Sequence, residues 1–298
     1  MFLGHVNDIA DGNYTVLQQD RCRSALVNRN GEYFQQNNLC THQGSQILTD
    51  RGVLSETVCP YHGYSWDVNG NPTSSGTVGH SRGSSLCKNT AKLWQRTCTV
   101  WNGFLFSKPL PVDIDITGQY ELVEYRQDNI KSSTFPVMDL FLDIDHIPIV
   151  HPGVYDRIDI PDVEDISWQT WDGGSAQLVA GEPDSSSIWH STIAGKVLTH
   201  SAAWIALYPH TMFEWQPGAV FVMVNEPVAD DRTVSHVFKY RDHNYSYENW
   251  LINESVWEEA WVQDRQQAEL LEPGWRLAGE SNLDPEKRAY RRWMSNVG

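Results

Sequence analysis

Two short loops determine the fold of the N-terminal third of the chain: Cys40-Thr41-His42-Gln43-Gly44 and Cys59-Pro60-Tyr61-His62-Gly63. Each loop offers one thiolate and one imidazole from a strand-rich stretch of sequence. Two sulfur and two nitrogen donors suit either one tetrahedral zinc ion or a [2Fe–2S] cluster with two thiolates on one iron and two imidazoles on the other. The flanking residues favour the cluster, because Gly44 and Gly63 allow backbone N–H groups to approach sulfide and Pro60 stiffens the second loop.

Short strand-like segments surround these loops. Residues 24–27 and 32–34 enclose Asn30-Gly31, and residues 97–101 and 104–106 enclose Asn102-Gly103. An Asn-Gly pair between two strand-like runs is a strong hairpin signal. We therefore predict a small all-β domain over residues 1–112, which ends at the proline-rich stretch 108–111.

The pattern changes after this boundary. A helix is predicted from about residue 134 to 146, because Pro136 fits a first helical turn and Pro148 disfavours helix at the residue before it. A long helix is predicted over 247–271, ending at Pro273-Gly274, and a short one over 285–294. Between the helices lie strand-like stretches at 166–171, 177–180, 202–208, 219–224 and 233–240. This order predicts an α+β domain with an antiparallel sheet.

The first predicted helix of this domain carries a second group of candidate ligands. Asp139, Asp143 and His146 are spaced i, i+4, i+7, which puts them on one face of a continuous helix. His151 follows the break at Pro148, which can turn it back toward His146. Two imidazoles and one carboxylate bind Fe(II) as a facial triad and leave positions open for O₂ beside a substrate.

The carboxylate of such a triad is sought on the long C-terminal helix. Its apolar stripe, at about 100° per residue, is formed by Trp250, Trp257, Trp261, Ala268 and Leu271. Asp264 falls on this stripe, and a carboxylate that faces the core needs a partner. Glu254 lies near the stripe and is the rival candidate. A pairing of Asp264 with a nearby arginine is the structural alternative.

The two Cys-His loops resemble those of Rieske proteins. Ser45 and Tyr61 stand where respiratory Rieske proteins have two disulfide-forming cysteines, so the loops resemble the oxygenase and soluble ferredoxin types. The pattern D-x-x-H-x-x-x-x-H, from Asp143 to His151, resembles the catalytic motif of Rieske non-haem iron oxygenases. The run 262–265 followed by Glu269 resembles their C-terminal motif, in which the aspartate binds iron. The resemblance covers nearly the whole chain.

The resemblance implies the fold and the site residues. It implies an N-terminal Rieske domain, residues 1–112, and a catalytic α+β domain of the helix-grip type, residues 113–298. The implied ligands are Cys40, His42, Cys59 and His62 for the [2Fe–2S] cluster, and His146, His151 and Asp264 for a mononuclear iron. Asp143 would bridge His146 and the cluster ligand His62 of a neighbouring subunit. Gln43 replaces the arginine of many oxygenases, and Asp139 stands where many members have asparagine.

The resemblance also implies an activity and partners. The protein would hydroxylate or oxidatively demethylate a small organic substrate with O₂. Electrons would come from NAD(P)H through a separate ferredoxin, flavin reductase or both, since the sequence has no Gly-rich dinucleotide fingerprint. The family default is a homotrimer. The alternatives are a non-catalytic Rieske electron carrier, an aromatic-ring dihydroxylating dioxygenase and a zinc-stabilised binding protein.

A substrate class is indicated only by residues 207–218, which resemble the choline-monooxygenase-like and demethylase-like branches. In this interpretation Trp204, Tyr208, Phe213 and Trp215 contribute to an aromatic cage for a cation.

Composition narrows the remaining possibilities. The chain of 298 residues has a formal net charge of −16, which argues against binding to nucleic acid or anionic membranes. The N-terminus lacks a basic stretch followed by an apolar run, so we predict no signal peptide and a cytoplasmic protein. The five cysteines do not suggest a disulfide framework. Cys22, Cys87 and Cys98 have no motif and are expected to be small buried hydrophobes.

Overall fold

A computed structural model describes residues 2–18, 21–75, 91–110, 112–154, 166–180, 189–193, 196–277 and 285–297. The chain forms two compact units, Met1–Leu110 and Pro111–Gly298, so the division lies two residues before the boundary predicted at 112. Cys87 lies outside the described residues. None of the helices in the described ranges is long and apolar enough to cross a membrane.

The first unit is built from short antiparallel strands. Among the described residues they are β1 (Phe2–His5), β2 (Asn13–Val16), β3 (Ser24–Arg29), β4 (Glu32–Asn37), β5 (Arg51–Val53), β6 (Thr57–Val58), β7 (Tyr64–Trp66), β8 (Pro72–Ser75), β9 (Gln95–Thr97), β10 (Thr99–Trp101) and β11 (Phe104–Phe106). They form three sheets, in the orders β5-β2-β3-β4-β9, β1-β11-β10 and β6-β7-β8. The all-β prediction is therefore confirmed.

Both Asn-Gly pairs form the predicted hairpins. Asn30 and Gly31 join β3 to β4 with φ of 54° and 79°. Asn102 and Gly103 join β10 to β11 with φ of 50° and 84°. Two consecutive residues at positive φ match the right-handed twist of the flanking strands, and asparagine and glycine tolerate that conformation best.

The second unit combines one large sheet with helices. Its described strands are β12 (Val112–Asp113), β13 (Tyr120–Ile130), β14 (Ile166–Trp171), β15 (Gly174–Ala180), β16 (Trp189–Ile193), β17 (Lys196–Leu207), β18 (Thr211–Gln216), β19 (Ala219–Ala229) and β20 (Arg232–Asp242). Its helices are α1 (Thr134–Phe141), α2 (Ile147–Val150), α3 (Tyr247–Leu271) and α4 (Pro285–Val297). The sheet runs β12-β16-β17-β18-β19-β20-β13, and β15 joins β14 to β17. The pairs are antiparallel, as predicted.

Helix α3 lies on one face of this sheet and supplies much of the core. The side chain of Ser246 caps its first turn by accepting a hydrogen bond from the N–H of Asn249. Its buried stripe includes Trp250, Trp257 and Trp261. These three residues belong to the same buried cluster as side chains of β18, β19 and β20. The predicted apolar stripe is thus the face that packs on the sheet.

The first predicted helix of this unit, residues 134–146, is shorter in the structure. Helix α1 ends at Phe141, so Asp143 and His146 lie beyond it and do not share a helix face with Asp139. The chain leaves the helix because the N–H of Asp143 bonds the carbonyl of Leu140, three residues back. The Asp143 carboxylate then accepts a hydrogen bond from the N–H of Asp145 at 3.0 Å, a local turn that competes with helix.

Candidate metal centres

The two Cys-His loops of the first unit have matching backbones. The N–H of Gly44 donates to the carbonyl of Cys40 at 2.8 Å, and the N–H of Gly63 donates to that of Cys59 at 3.0 Å. Gly44 and Gly63 adopt φ of 74° and 73°, in the left-handed region that a side chain would strain. Each loop therefore turns back on its own cysteine, and the two present their donors in the same way.

Both cysteines are buried beside backbone donors. Cys40 is 4% exposed and Cys59 is 2% exposed. Burial raises the pKa of the Cys40 thiol. Burial acts in the same direction on Cys59, but N–H groups of Tyr61 and His62 directed at its sulfur outweigh burial and lower its pKa. N–H donors of this kind stabilise thiolates, the form that binds metal.

The two histidines of the loops meet beside the cysteines. The ring centroids of His42 and His62 are 4.9 Å apart, and Tyr64 stacks on His42 at 4.8 Å. Nδ1 of His42 is buried and has no hydrogen-bond partner in the described part of the chain. A buried nitrogen without a partner is costly unless something binds it. These donors fit a metal cluster.

The second group of donors lies around the single-turn helix α2. His146 immediately precedes this helix and His151 immediately follows it, and Pro148 occupies its first turn. Proline is favourable there because the first turn leaves N–H groups unbonded in any case. One helical turn thus brings the two imidazoles together, with their ring centroids 5.0 Å apart.

Asp264 of α3 completes the group. Nε2 of His146 and Nε2 of His151 are 3.1 Å apart. Oδ1 of Asp264 lies 3.2 Å from the first nitrogen and 3.0 Å from the second. Ligands at about 2.1 Å from a metal and at right angles to one another are about 3.0 Å apart. The three atoms therefore have the spacing of one face of an octahedral site.

The hydrogen bond at Nδ1 of each imidazole determines the tautomer, and with it the state of the Nε2 atom that faces Asp264. Nδ1 of His151 lies 2.7 Å from Oε1 of Gln263, and Nδ1 of His146 contacts the backbone carbonyl of Asp143. Both partners accept hydrogen bonds, which assigns the N–H of each ring to Nδ1. Lone pairs of both Nε2 atoms and of Asp264 then converge with no proton between them, and a metal cation satisfies all three. Gln263 was not identified from the sequence, although it adjoins Asp264.

Electrostatics link the members of this group. Burial favours protonated Asp264, but the imidazoles of His146 and His151 outweigh it and hold the pKa of Asp264 below its usual value. Burial lowers the pKa of His151, but the Asp264 carboxylate reverses this and raises it. The group thus attracts positive charge.

The other predicted carboxylates have different partners. The carboxylate of Asp143 forms an ion pair with Lys287 of α4, and that of Asp139 forms one with Arg291 of the same helix. The contact of Asp143 with His146 is made by its backbone carbonyl oxygen. The rival ligand Glu254 pairs with Lys239.

A cavity adjoins Asp264, one of the three donors. It is lined by the carboxylates of Glu214 and Asp264, by Arg265 and by aromatic side chains that include Phe141, Trp257 and Trp261. Arg265 pairs with Asp128 at 3.5 Å rather than with Asp264, which removes the structural alternative considered for Asp264.

Two of the four residues expected to form an aromatic cage face away from the cavity. Trp204 is paired with Glu214 across β17 and β18, so both side chains lie on the same face as the cavity. Phe213 and Trp215 alternate with Glu214 along β18 and face the other side of the sheet, where Nε1 of Trp215 donates to the hydroxyl of Tyr120 at 2.7 Å. The prediction was wrong for these two residues because it took a continuous run without assigning strand alternation.

Glu214 is the acidic residue of this site that the sequence analysis missed. Its side chain is 4% exposed, and burial raises its pKa to about 7, with a further contribution from the negative charge of Asp264. Alternation along β18 could have marked it as an inward-facing carboxylate.

Comparison with known proteins agrees with this geometry. The family model "Rieske [2Fe-2S] domain" matches residues 1–80. Most of the first unit is therefore similar to a Rieske domain. A putrescine 2-hydroxylase from Ralstonia nicotianae is 24% identical over 315 aligned positions, which cover 95% of this chain and 83% of that protein.

Solved structures match the whole chain. A quaternary ammonium Rieske monooxygenase, CntA, in complex with L-carnitine aligns with a TM-score of 0.59 at 13% identity and covers 100% of this chain and 87% of its own. Naphthalene 1,2-dioxygenase from Rhodococcus sp. aligns with a TM-score of 0.63 at 14% identity, covering 100% and 88%.

These matches confirm the predicted resemblance to catalytic subunits of Rieske non-haem iron oxygenases. The two Cys-His loops suit the predicted [2Fe–2S] cluster, and the spacing of His146, His151 and Asp264 suits the predicted mononuclear Fe(II).

Proposed function

We propose that this chain is the oxygenase component of a multi-component Rieske system and hydroxylates or oxidatively demethylates a small organic substrate. The observation that carries the proposal is the convergence of His146, His151 and Asp264 beside a cavity, in a chain that begins with a Rieske domain. A Rieske electron carrier has no need for a second donor triad beside a cavity.

The proposed ligands follow from the donor sets. Cys40 and Cys59 would hold one iron of the cluster, and His42 and His62 the other. His146, His151 and Asp264 would hold the mononuclear iron, which when bound supplies O₂ activation. Gln263 orients the imidazole of His151 through Nδ1.

The proposed overall reaction balances with an external donor. Hydroxylation converts R–H, O₂, two electrons and two protons into R–OH and water. The electrons would come from NAD(P)H through a separate ferredoxin, flavin reductase or both, since the cluster passes one electron at a time. The aromatic side chains of Phe141, Trp257 and Trp261 line the cavity and would disfavour water there once a substrate is bound.

Asp143 is proposed to couple the two centres in a homotrimer, where its carboxylate would contact His62 of a neighbouring subunit. In one chain this carboxylate pairs with Lys287, which offers a matched test. Asp143→Asn should keep both metal centres but slow re-oxidation of the pre-reduced cluster by O₂ and substrate, whereas Lys287→Met should leave that rate unchanged. Equal slowing in both variants, followed by stopped-flow absorbance, would make Asp143 a purely structural anchor of α4.

Iron content tests the proposed ligand set. Wild-type protein should contain a cluster and one further iron per chain. Asp264→Ala should keep the visible spectrum of the cluster and lose the additional iron and all turnover, because the carboxylate ligand is gone. Glu254→Ala is the control, since Glu254 pairs with Lys239 and its loss should leave the iron count unchanged. Retention of the additional iron in Asp264→Ala would refute the assignment.

Aromatic-ring dihydroxylation is the second candidate function, favoured by the fold match to naphthalene 1,2-dioxygenase. The number of oxygen atoms that enter the product from labelled O₂ separates the two. One atom, in a hydroxylated product or in the aldehyde released by demethylation, indicates monooxygenation, and two atoms in one product indicate dihydroxylation.

A further inference from the structure

From the position of Glu214 we infer that this carboxylate is the binding group for a cationic amine substrate, one of whose N–H groups donates to it inside the cavity. The inference rests on the proposed function and deepens it by naming the substrate class. It starts from a carboxylate that is 4% exposed and lines the same cavity as Asp264.

The partners of Glu214 are neutral. Oε2 accepts a hydrogen bond from Nε1 of Trp257 at 3.1 Å, and Oε1 accepts one from the side-chain amide of Gln216. Trp204 is a further hydrogen-bonding side chain. These donors fix the orientation of the carboxylate without neutralising it. Three donors leave one of the four lone pairs of the carboxylate for a further donor.

Nearby cationic side chains are engaged elsewhere. Nζ of Lys239 lies 5.4 Å from the centre of the Trp257 ring, but it pairs with Glu124, Glu254 and Glu258. Arg265 lines the cavity and pairs with Asp128. Buried carboxylates are rarely left without a counter-charge, so the cavity calls for a cation from outside the chain.

Hydrogen bonds distinguish the kinds of ammonium group that Glu214 can bind. The ring of Trp257 is stacked on Phe221 and Trp261, so its contribution is the N–H bond that orients the carboxylate. A primary or secondary ammonium adds a charge-assisted N–H hydrogen bond to Glu214, which a quaternary ammonium cannot form. The alkyl part then lies near the proposed iron site, where a C–H bond would be hydroxylated with O₂ and two electrons from the external donor.

Binding of four probes of equal chain length tests this inference. The probes are butylammonium, butyltrimethylammonium, 1-butanol and butyrate, titrated by calorimetry into anaerobic protein loaded with cluster and Fe(II). Butylammonium should bind wild-type protein at least about tenfold more tightly than each of the others, since a buried charge-assisted pair carries that much affinity. No measurable butylammonium binding, or equal or tighter binding of another probe, overturns the inference. This comparison needs no variant to fold.

Two variants test whether Glu214 is the source of the preference for butylammonium. Glu214→Gln keeps the size of the side chain and removes its charge, and it should lose the preference for butylammonium over 1-butanol. Glu226→Gln, which alters a carboxylate of β19 paired with His236 at 3.1 Å, should keep that preference. If Glu214→Gln retains it, the inference is wrong.

The iron count keeps this result separate from the proposed function. If butylammonium is not selected while the mononuclear iron and O₂-dependent product are present, the inference fails and the oxygenase assignment stands. If the mononuclear iron is absent but the selectivity depends on Glu214, the proposed function fails and the amine site stands.

Discussion

Gln263 is predicted to control the proposed iron site without contacting the metal itself. Its Oε1 lies 2.7 Å from Nδ1 of His151, so it fixes the tautomer that presents Nε2. Gln263→Leu removes this acceptor and should weaken Fe(II) binding about 10–100-fold. Gln266→Leu, on an exposed position of the same helix, should leave Fe(II) affinity unchanged. Chelator competition measures both, and equal affinities would exclude an orienting role for Gln263.

The raised pKa of Glu214 predicts how the free energy of unfolding depends on pH. Its folded pKa is raised to about 7 from 4.5 by burial, so its contribution to stability is full below pH 4.5 and is lost as pH rises through 7. Glu214→Gln mimics the protonated form. In metal-free protein, the variant should gain stability relative to wild type between pH 4.5 and 8, by on the order of 3 kcal/mol. Unfolding midpoints over that pH range measure the gain, and a constant difference would contradict it.

At the scale of elements, two ion pairs attach α4 to the stretch that leads to His146, a proposed iron ligand. Arg291 pairs with Asp139, which is 8% exposed, and Lys287 pairs with Asp143. Arg291→Met leaves a buried carboxylate without its partner and should cost about 3 kcal/mol. Lys287→Met should cost less than about 1 kcal/mol, because Asp143 is nearer solvent.

The double variant Asp139→Asn/Arg291→Met is the check on this account. A neutral amide tolerates the loss of Arg291 better than a carboxylate does, so urea unfolding should show most of the stability restored. Additive losses would mean that Arg291 acts mainly through its packing against Trp275.

The elements also show which features can be predicted from sequence. The hairpins at Asn30-Gly31 and Asn102-Gly103, the stripe of α3 and the spacing of His146 and His151 are local signals, and the structure agrees with them. The end of α1 was misplaced because a side-chain turn at Asp143 competes with helix. β13 was missed because most of its residues are partly or fully exposed and its pairing with β20, more than 100 residues later, defines it.

In the candidate site, too, residues with a local sequence signal were predicted, and a residue defined by a long-range contact was not. The cysteines and histidines of the loops are motif residues. Helical periodicity placed both Asp264 and Glu254 near the apolar stripe, and the resemblance of residues 262–265 to the family's motif favoured Asp264. Gln263 and Glu214 act through contacts with residues that are 112 and 43 positions away in sequence. No local pattern reports the contact of Gln263, which emerged only from the folded chain, whereas strand alternation around Glu214 was available in the sequence but was not assigned.

At the scale of the whole molecule, the proposed trimer makes electron transfer between chains testable. If the cluster of one chain serves the iron of a neighbour, each chain needs only one intact centre. His62→Ala should abolish the cluster and Asp264→Ala the mononuclear iron, so assemblies of either variant alone should be inactive. Mixed assemblies pair an intact cluster with an intact iron and should recover turnover.

Co-expression with two different affinity tags, followed by sequential purification, isolates the mixed assemblies. Wild-type chains with the same two tags provide the reference activity, and the size of each assembly by light scattering shows that both variants still associate. Inactive mixed assemblies of normal size would place electron transfer within one chain. In that case the predicted bridge from Asp143 to a neighbouring His62 would be wrong, and the pairing of Asp143 with Lys287 would be its principal role.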